Sequence, residues 1–255
     1  MNRTGLAIAI ITAVVVGVIF AIYPELDILI SRALFDRRIG NFPMRLNHFL
    51  HLAQHAATWL AWLLVATPVL ALLVKLVLPR TRLMVPGRAI VLMLSSLALA
   101  PGLLTNVVLK EHWHRPRPIE TTVFGGTRTF VPWWDPRGTC PHNCSFVSGD
   151  VSMAAWTISA AAVAPPTWRA LAYAGAFAFT AATAAARLVL GAHFFTDVTF
   201  AAVFTFLLIW LLHGLIYRWG AARLSDERIE RALERAGRWC RRLLGGAAGR
   251  PRTEP

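Results

Sequence analysis

Apolar residues recur in six long runs along the chain, and short segments rich in charge, Pro and Gly separate these runs. Each run approaches the ~20 residues that an α-helix needs to cross a bilayer, where a helix satisfies its own backbone groups. The pattern predicts an all-α integral membrane protein with six transmembrane helices in a bundle, at roughly 6–22, 56–74, 89–109, 151–164, 170–186 and 198–217. The Ala-rich fourth and fifth helices are expected to pack inside the bundle, because small side chains let backbones approach closely.

The charges of the chain indicate its orientation. It contains 26 Lys and Arg against 13 Asp and Glu, in a sequence that is 56% hydrophobic. In so apolar a chain this excess does not indicate nucleic acid as a partner. Lys and Arg favour the cytoplasmic side of short loops, and their distribution predicts that both termini are cytoplasmic. The loop of residues 110–147 then faces the periplasm, and its five basic residues go against the rule, which indicates anion binding.

Two regions follow from this pattern. Residues 1–220 are predicted to form a six-span membrane domain, and residues 221–255 a basic cytoplasmic tail. In the tail, Ser225 can cap a helix in which apolar residues recur at helical spacing among arginines. An amphipathic helix on the anionic inner leaflet is expected, and a solvated, frayed tail is the alternative.

The first segment with candidate chemistry runs from Lys110 to Pro118, where the third predicted helix ends. Arg117 would offer a planar fork to two phosphate oxygens, and Lys110 a point charge. Pro116 and Pro118 prevent a helix from continuing and would hold Arg117 in an extended turn. The alternative is that these basic residues only reach toward the membrane surface, with Trp113 as an aromatic anchor.

Ser148, Gly149 and Asp150 form the second segment, at the start of the fourth predicted helix. A helix N-terminus exposes unpaired N–H groups and the positive end of a dipole, so it can cradle phosphate oxygens. Gly149 would let the backbone approach the anion closely. The alternative is that Ser148 or Asp150 only caps the helix.

The third segment contains Arg187, His193 and Asp197, between the last two predicted helices. His193 and Asp197 are four residues apart and would share a helix face. The carboxylate could then accept one imidazole N–H and leave the other nitrogen free as a nucleophile. Arg187 would lie close to the phosphate. Charged side chains at the edge of the hydrocarbon are costly without a function.

These three segments together resemble the signature of the type-2 phosphatidic acid phosphatase superfamily. The resemblance rests on Lys110 with Arg117-Pro118, on Ser148-Gly149, and on Arg187 with His193 and Asp197. It implies that His193 forms a phosphohistidine that water hydrolyses, that Asp197 orients His193, and that no metal or other cofactor is required. The phosphoryl group would be bound by Lys110, Arg117, Ser148, Gly149 and Arg187.

The chain departs from the family pattern at two positions. It has Asp150 where the family has the histidine that protonates the leaving alcohol, and Ala186 where the family has a serine. Asp150 can supply this proton if burial keeps it protonated. Otherwise an acid would come from His112, His114 or His142, or no acid is used.

Within the family, segments such as Lys110-Glu111-His112-Trp113 and Ser148-Gly149-Asp150 are similar to the bacterial lipid A 4′-phosphatases. This resemblance implies a hydrolase that dephosphorylates lipid A in the inner membrane, with its active site facing the periplasm. Phosphatidylglycerol phosphate, phosphatidate and undecaprenyl pyrophosphate stay open as substrates. A lipid phosphotransferase and a lipid-binding protein without activity are further alternatives, and the oligomeric state is open.

Two weaker patterns remain. His48, His51 and His55 fall on one helix face and are a candidate zinc or headgroup site, for which the sequence offers no further ligand. Cys140 and Cys144 either form a disulfide on the oxidising side or remain free thiols. Residues 25–55 are a candidate interfacial lid.

Overall fold

A computed structural model of the protein describes residues 1–219 and 224–247. Helices make up the regular structure of this part, in which no β-strand occurs. The longer ones are α1 (Arg3–Ile22), α2 (Glu25–Ala33), α3 (His48–Val77), α4 (Gly87–His112), α5 (Gly149–Val163), α6 (Pro166–Val189), α7 (Phe195–Trp219) and α8 (Asp226–Ala247). Short 3₁₀ turns lie at Pro43–Leu46, Pro118–Glu120 and Thr122–Phe124.

Five helices of the described part are long and apolar enough to cross a membrane, namely α1, α3, α4, α6 and α7. The prediction of an all-α integral membrane protein is confirmed. α5 occupies the place of the fourth predicted span and has 15 residues, so it is about 22 Å long at ~1.5 Å per residue. The hydrocarbon core is about 30 Å thick, so α5 alone does not cross it. The predicted number of six spans is not confirmed.

α5 lies at the centre of the bundle, as its small residues predicted. Of its 15 residues most are buried, and the Trp156 indole N–H donates to the Met93 carbonyl oxygen of α4 at 3.0 Å. The Ser152 hydroxyl is hydrogen-bonded to Thr105 of α4 and to Thr205 of α7. These contacts hold α5 between the two neighbouring helices in a fixed position.

The prediction that the next Ala-rich helix is also buried is wrong. In α6 only Ala176 and Thr180 are buried, while Trp168, Leu171 and Phe177 are largely exposed. One side of α6 packs against α5 and the other side carries large apolar residues. In a membrane these residues face lipid, which removes the need to bury the helix on all sides.

The ends of α1, α4 and α6 and the starts of α3, α5 and α7 lie at one end of the bundle, which we call the site end. Residues 34–47 and the loop between α4 and α5 cover it. Phe42, Phe124 and Phe194 form a buried aromatic cluster there, and a disulfide joins Cys140 to Cys144. Of the segment 25–55 considered as a lid, Phe42 is packed into the fold, whereas Met44, Leu46 and Phe49 are largely exposed.

At the opposite end, the predicted tail helix is present as α8, and the Ser225 hydroxyl accepts a hydrogen bond from its first turn. Glu230 of α8 pairs with the buried Lys75 of α3 at 3.0 Å, and Asp226 pairs with Arg88 of α4 at 2.9 Å. The predicted tail of residues 221–255 also includes 221–223 and 248–255, which lie outside the described residues. α8 therefore packs against the end of α3 and the start of α4, and the alternative of a solvated, frayed tail does not describe this helix.

Candidate active site

His193 lies in the turn between α6 and α7. Gly191 in this turn adopts a φ of +61°, in the left-handed region that favours glycine, and a Cβ there would lie 2.3 Å from the Phe42 ring. The Ala192 N–H closes the turn by donating to the carbonyl oxygen of Arg187 at 3.1 Å. The turn therefore fixes the backbone of His193 relative to that of Arg187.

The side chain of His193 is buried, and its orientation is set by a backbone group. Its Nδ1 nitrogen lies 2.8 Å from the carbonyl oxygen of Ser145. A carbonyl oxygen only accepts hydrogen bonds, so Nδ1 carries the proton and Nε2 has the free lone pair. This is the tautomer that a histidine nucleophile requires.

The predicted direct contact between His193 and Asp197 is not made. Their closest polar atoms, Nδ1 and Oδ2, are 3.9 Å apart. His193 precedes the first residue of α7, so the spacing of four does not correspond to one helical turn. The carboxylate of Asp197 instead accepts hydrogen bonds from the Ser145 hydroxyl and from the Phe194 N–H at 2.8 Å. Asp197 thus holds Ser145, the residue whose carbonyl orients the imidazole.

A buried charge network, which the sequence did not reveal, supports Asp197 from behind. Arg115 is fully buried and donates to Asp197 and, at 2.8 Å, to Asp27 of α2. Asp27 is also fully buried and accepts hydrogen bonds from the hydroxyl and the N–H of Thr196 at 2.6 and 3.1 Å. One cation is therefore shared by two carboxylates, and this network joins α2 to the start of α7.

Sequence reasoning counted Arg115 among the outer-loop bases and gave Asp27 no role. The two residues are 88 positions apart, and no local pattern connects them. One feature of the sequence could have indicated a partner for Asp27. Acidic residues among apolar ones near a membrane are rarely left without a basic partner, because an unpaired charge there is costly.

Three predicted phosphate-binding cations surround the start of α5. Lys110 donates to the side-chain oxygen of Asn143 at 2.9 Å, and Arg117 donates to the backbone carbonyl of the same residue at 3.0 Å. A Cβ on Gly149 would lie 3.1 Å from the Lys110 ammonium. Arg187 pairs with Asp150 at 3.0 Å. The structure therefore brings residues from all three segments together.

The electrostatics of His193 reflect this grouping. The pKa of His193 is lowered well below its ordinary value of 6.5, first by burial and then by the positive charges of Arg187, Arg117 and Lys110. The Ser145 carbonyl acts in the opposite direction. Burial and the charge of Arg187 also lower the pKa of Arg117. The imidazole is therefore held neutral, which is the nucleophilic form, in a pocket of positive potential.

Two hydrogen-bond donors at this site are buried without a partner among the described residues. They are the hydroxyl of Ser148 and the Nε of Arg187. Ser148 directly precedes α5 but its side chain makes no capping hydrogen bond, which argues against a purely capping role. Gly149 has no side chain to fill the space beside Lys110. Buried donors that lack a partner are costly, and a phosphate group would satisfy them.

Comparison with known proteins identifies the family of the chain. Residues 89–221 match the family model described as the PAP2 superfamily, which covers more than half of the chain. The chain belongs to the PAP2 superfamily. The matched segment contains all eight residues predicted for the site and also Arg115 and Ser145, whereas Asp27 lies outside it.

Several curated proteins resemble this PAP2 protein. A protein named lipid A 4′-phosphatase from Francisella tularensis subsp. novicida is 29% identical over 224 residues, which are 86% of this chain and 98% of the relative. Proteins of the same name from Rhizobium etli and Rhizobium leguminosarum are 43% and 45% identical over 106 and 105 residues. These matches span 42% and 41% of this chain, and 41% and 45% of the two relatives. No solved structure matches the chain.

Family membership confirms the predicted enzyme class. The protein is a multi-pass membrane phosphatase of lipids, a hydrolase of phosphoric monoesters.

Asp150 does not meet the condition under which it was predicted as an acid. Its side chain is 51% exposed, and its carboxylate is paired with Arg187. The three histidines considered in its place are not assigned either. His112 and His142 are exposed, and the Nδ1 of His114 lies 3.0 Å from the carbonyl oxygen of Cys140. The conceivable zinc site at His48, His51 and His55 is not supported, since the described residues contain no metal-binding group of three such side chains.

A cavity of about 490 Å³ adjoins the site between α3, α5 and α6. Asp150 and Arg187 contribute to its lining, and the rest of the α5 and α6 walls is mainly apolar, with Met153 and Phe179 among the residues. The wall from α3 includes His51 and His55. The cavity therefore extends from the charged site into the part of the bundle that lies at the level of the membrane.

Proposed function

We propose that this PAP2 protein removes a phosphate from lipid A or a close precursor, with His193 as the nucleophile. The observation that carries the proposal is the buried, neutral His193, whose Nδ1 is held by the Ser145 carbonyl beside the unpartnered donors of Ser148 and Arg187. Lys110, Arg117, Ser148, Gly149 and Arg187 would bind the phosphoryl oxygens.

In the first step, the Nε2 of His193 forms a bond to phosphorus and the bond from phosphorus to the lipid oxygen breaks. The developing charge on the phosphoryl oxygens is stabilised by Arg117, Arg187 and Lys110. Water then attacks phosphorus and the bond from Nε2 to phosphorus breaks, which releases phosphate and regenerates the neutral imidazole. The proton that the water loses passes to the acid that protonated the lipid oxygen in the first step. Asp197 acts as a positioning residue, through Ser145 and the start of α7.

The leaving oxygen needs a proton, and we propose that Asp150 supplies it only in the complex with substrate. In the free enzyme Asp150 is paired with Arg187. A phosphate dianion competes for this guanidinium, and a carboxylate left beside a dianion is favoured in its protonated form. The negative charge of the substrate, and not burial, would therefore keep the proton on Asp150.

The lipid A assignment is supported by the names of the three relatives and by the cavity. A cavity with apolar walls next to a phosphate site suits a substrate whose body is a lipid. The disulfide between Cys140 and Cys144 directly precedes Ser145 and supports a site on the oxidising, periplasmic face of the bacterial inner membrane. Both termini would then be cytoplasmic.

Phosphate release by purified protein in detergent tests the proposal, with lipid A, phosphatidylglycerol phosphate, phosphatidate and undecaprenyl pyrophosphate compared side by side. We expect lipid A to be the preferred substrate and the His193→Ala variant to lose at least about a thousandfold in rate. Release from another lipid alone would contradict the substrate assignment. Transfer of phosphate to a second lipid, seen by mass spectrometry, would contradict hydrolysis.

A further inference from the structure

Polar side chains line the α3 wall of the cavity that adjoins the phosphate site. His51, Gln54, His55 and Thr58 all contribute to this wall, and their spacing places them on one face of the helix. α3 is otherwise strongly apolar, with a mean hydropathy of 2.3 over its most apolar window. His51, Gln54 and His55 lie in the first turns of the helix, before the apolar run that begins near residue 56, so these side chains are placed where a lipid headgroup would lie.

Two of these four side chains are engaged by the protein and two are not. The Nε2 of His51 lies 2.8 Å from the carbonyl oxygen of Arg45, and the Thr58 hydroxyl donates to the carbonyl oxygen of Gln54 at 2.9 Å. The Gln54 amide and the His55 ring have no hydrogen-bond partner within residues 1–219 and 224–247. They therefore present free donors and acceptors to the cavity.

The opposite wall of the cavity is mainly apolar, and its Thr183 hydroxyl donates to the Phe179 carbonyl oxygen at 2.8 Å. It includes Met153, Phe179 and Ala182, and Arg187 also contributes to the lining. A substrate whose phosphate lies on Arg187 places the adjacent part of the molecule between this apolar wall and the polar face of α3. A sugar ring fits such a space, because its hydroxyls need hydrogen bonds while its ring faces are apolar. A diacylglycerol group has no free hydroxyl to offer.

We propose that Gln54 and His55 recognise the sugar headgroup of a phosphorylated glycolipid and thereby distinguish it from a glycerophospholipid. The proposal rests on the function proposed above and adds the part of the protein that reads the substrate beyond its phosphate. Gln54 and His55 lie outside the segment that matches the PAP2 family model, which covers residues 89–221. A determinant of substrate choice in this region would be separate from the shared phosphate chemistry.

The test compares the wild type with Gln54→Leu and His55→Leu. Phosphate release is measured with lipid A and phosphatidate in the same mixed micelles. If phosphatidate is not hydrolysed, its strength as a competitive inhibitor is measured instead. We expect the preference for lipid A over phosphatidate to fall about tenfold or more in each variant, since each loses a hydrogen bond to the headgroup. His48→Leu is the matched control, because His48 lies on the same helix but not on the cavity wall. His55→Gln, which keeps a donor and an acceptor, is expected to restore much of the preference.

An equal loss toward both lipids in His55→Leu would overturn the proposal, since it would indicate a structural or general catalytic role. The same fall in preference in His48→Leu would overturn it too. The wild type decides the proposed function independently. If it hydrolyses lipid A but the variants keep its preference, only the inference about α3 fails, whereas a wild type inactive on lipid A overturns both.

Discussion

The Nδ1 nitrogen of His193 lies 2.8 Å from the carbonyl oxygen of Ser145, so a backbone group and not a carboxylate fixes the imidazole. A carbonyl cannot take up the proton, and the tautomer is therefore set independently of the charge of the site. Asp197 contributes indirectly, because its carboxylate accepts the Ser145 hydroxyl. The position of the proposed nucleophile thus depends on how firmly Asp197 itself is held.

Asp27→Asn tests this dependence. The substitution leaves Arg115, which is fully buried, with one carboxylate partner in place of two. Breaking a buried ion pair in this way is expected to lower the free energy of unfolding by about 3 kcal/mol and to reduce kcat with it. Unfolding in detergent and phosphate release measure the two effects. Glu25→Gln, an exposed position of the same helix, is the control, and equal behaviour of the two variants would contradict the network.

Gly149→Ala is expected to weaken phosphate binding. The added Cβ would lie 3.1 Å from the Lys110 ammonium and from the Asn106 side-chain oxygen, so it would fill part of the proposed cradle. We expect kcat/KM to fall roughly tenfold or more, with little change in stability. Gly175→Ala places the same group where nothing lies within 4 Å. If Gly149→Ala were as active as Gly175→Ala, phosphate would not occupy the space beside Gly149.

The pH dependence of kcat/KM reports the charge around His193. The neutral imidazole attacks, so activity falls as the pH falls through the pKa of His193, which burial and the charges of Arg187, Arg117 and Lys110 hold well below its ordinary value. Arg117→Gln removes one of these charges, raises the pKa and is expected to move the acid limb to higher pH. Both proteins are measured with the same substrate, so the ionisation of its phosphate affects the two pH profiles equally and does not contribute to their difference.

Arg137→Gln serves as the control for this measurement, because Arg137 is exposed and paired with Asp135 in the same loop. Its acid limb is expected to coincide with that of the wild type. If the limb of Arg117→Gln also stayed in place, Arg117 would not act on His193 and the proposed grouping of charges would be wrong.

The orientation of the protein can be tested through its cysteines. Cys140 and Cys144 form a disulfide at the site end, and Cys240 is the free cysteine, on α8 at the opposite end. In spheroplasts, a membrane-impermeant maleimide is expected to label Cys240, which is partly exposed, only after the membranes are permeabilised. Labelling of Cys240 in intact spheroplasts would place α8 outside and the site in the cytoplasm.

Local patterns in the sequence predicted the helices and most of the candidate site. A bilayer requires long apolar helices, so five spans could be located from hydropathy alone. Most residues of the candidate site stand in three short segments whose spacing resembles that of a known family. The structure brings these segments together, with Lys110, Arg117, Ser148, Arg187 and His193 among their residues. The family match over residues 89–221 covers the same region.

Other features could not be predicted because they depend on contacts distant in the sequence. The pairing of Asp27 with Arg115 joins α2 to the outer loop and has no local signal. The spacing of His193 and Asp197 was misleading, since the helix begins only after His193. The Ala-rich composition of α6 predicted that this helix packs inside the bundle, but one of its sides is exposed. Which side of a helix faces lipid depends on the helices beside it, and composition does not reveal these neighbours. The role of α5 as a short central helix likewise depends on α4 and α7.

Detection of a covalent phosphoenzyme tests the central claim most directly. Wild-type protein is mixed with the phosphorylated lipid, quenched during turnover under conditions that preserve phosphohistidine, and digested for mass spectrometry. We predict phosphate on the peptide that contains His193, at the imidazole, and none in His193→Ala, which should also release no phosphate. Turnover that continues in His193→Ala, or a wild type that turns over without ever carrying phosphate on His193, would contradict the account.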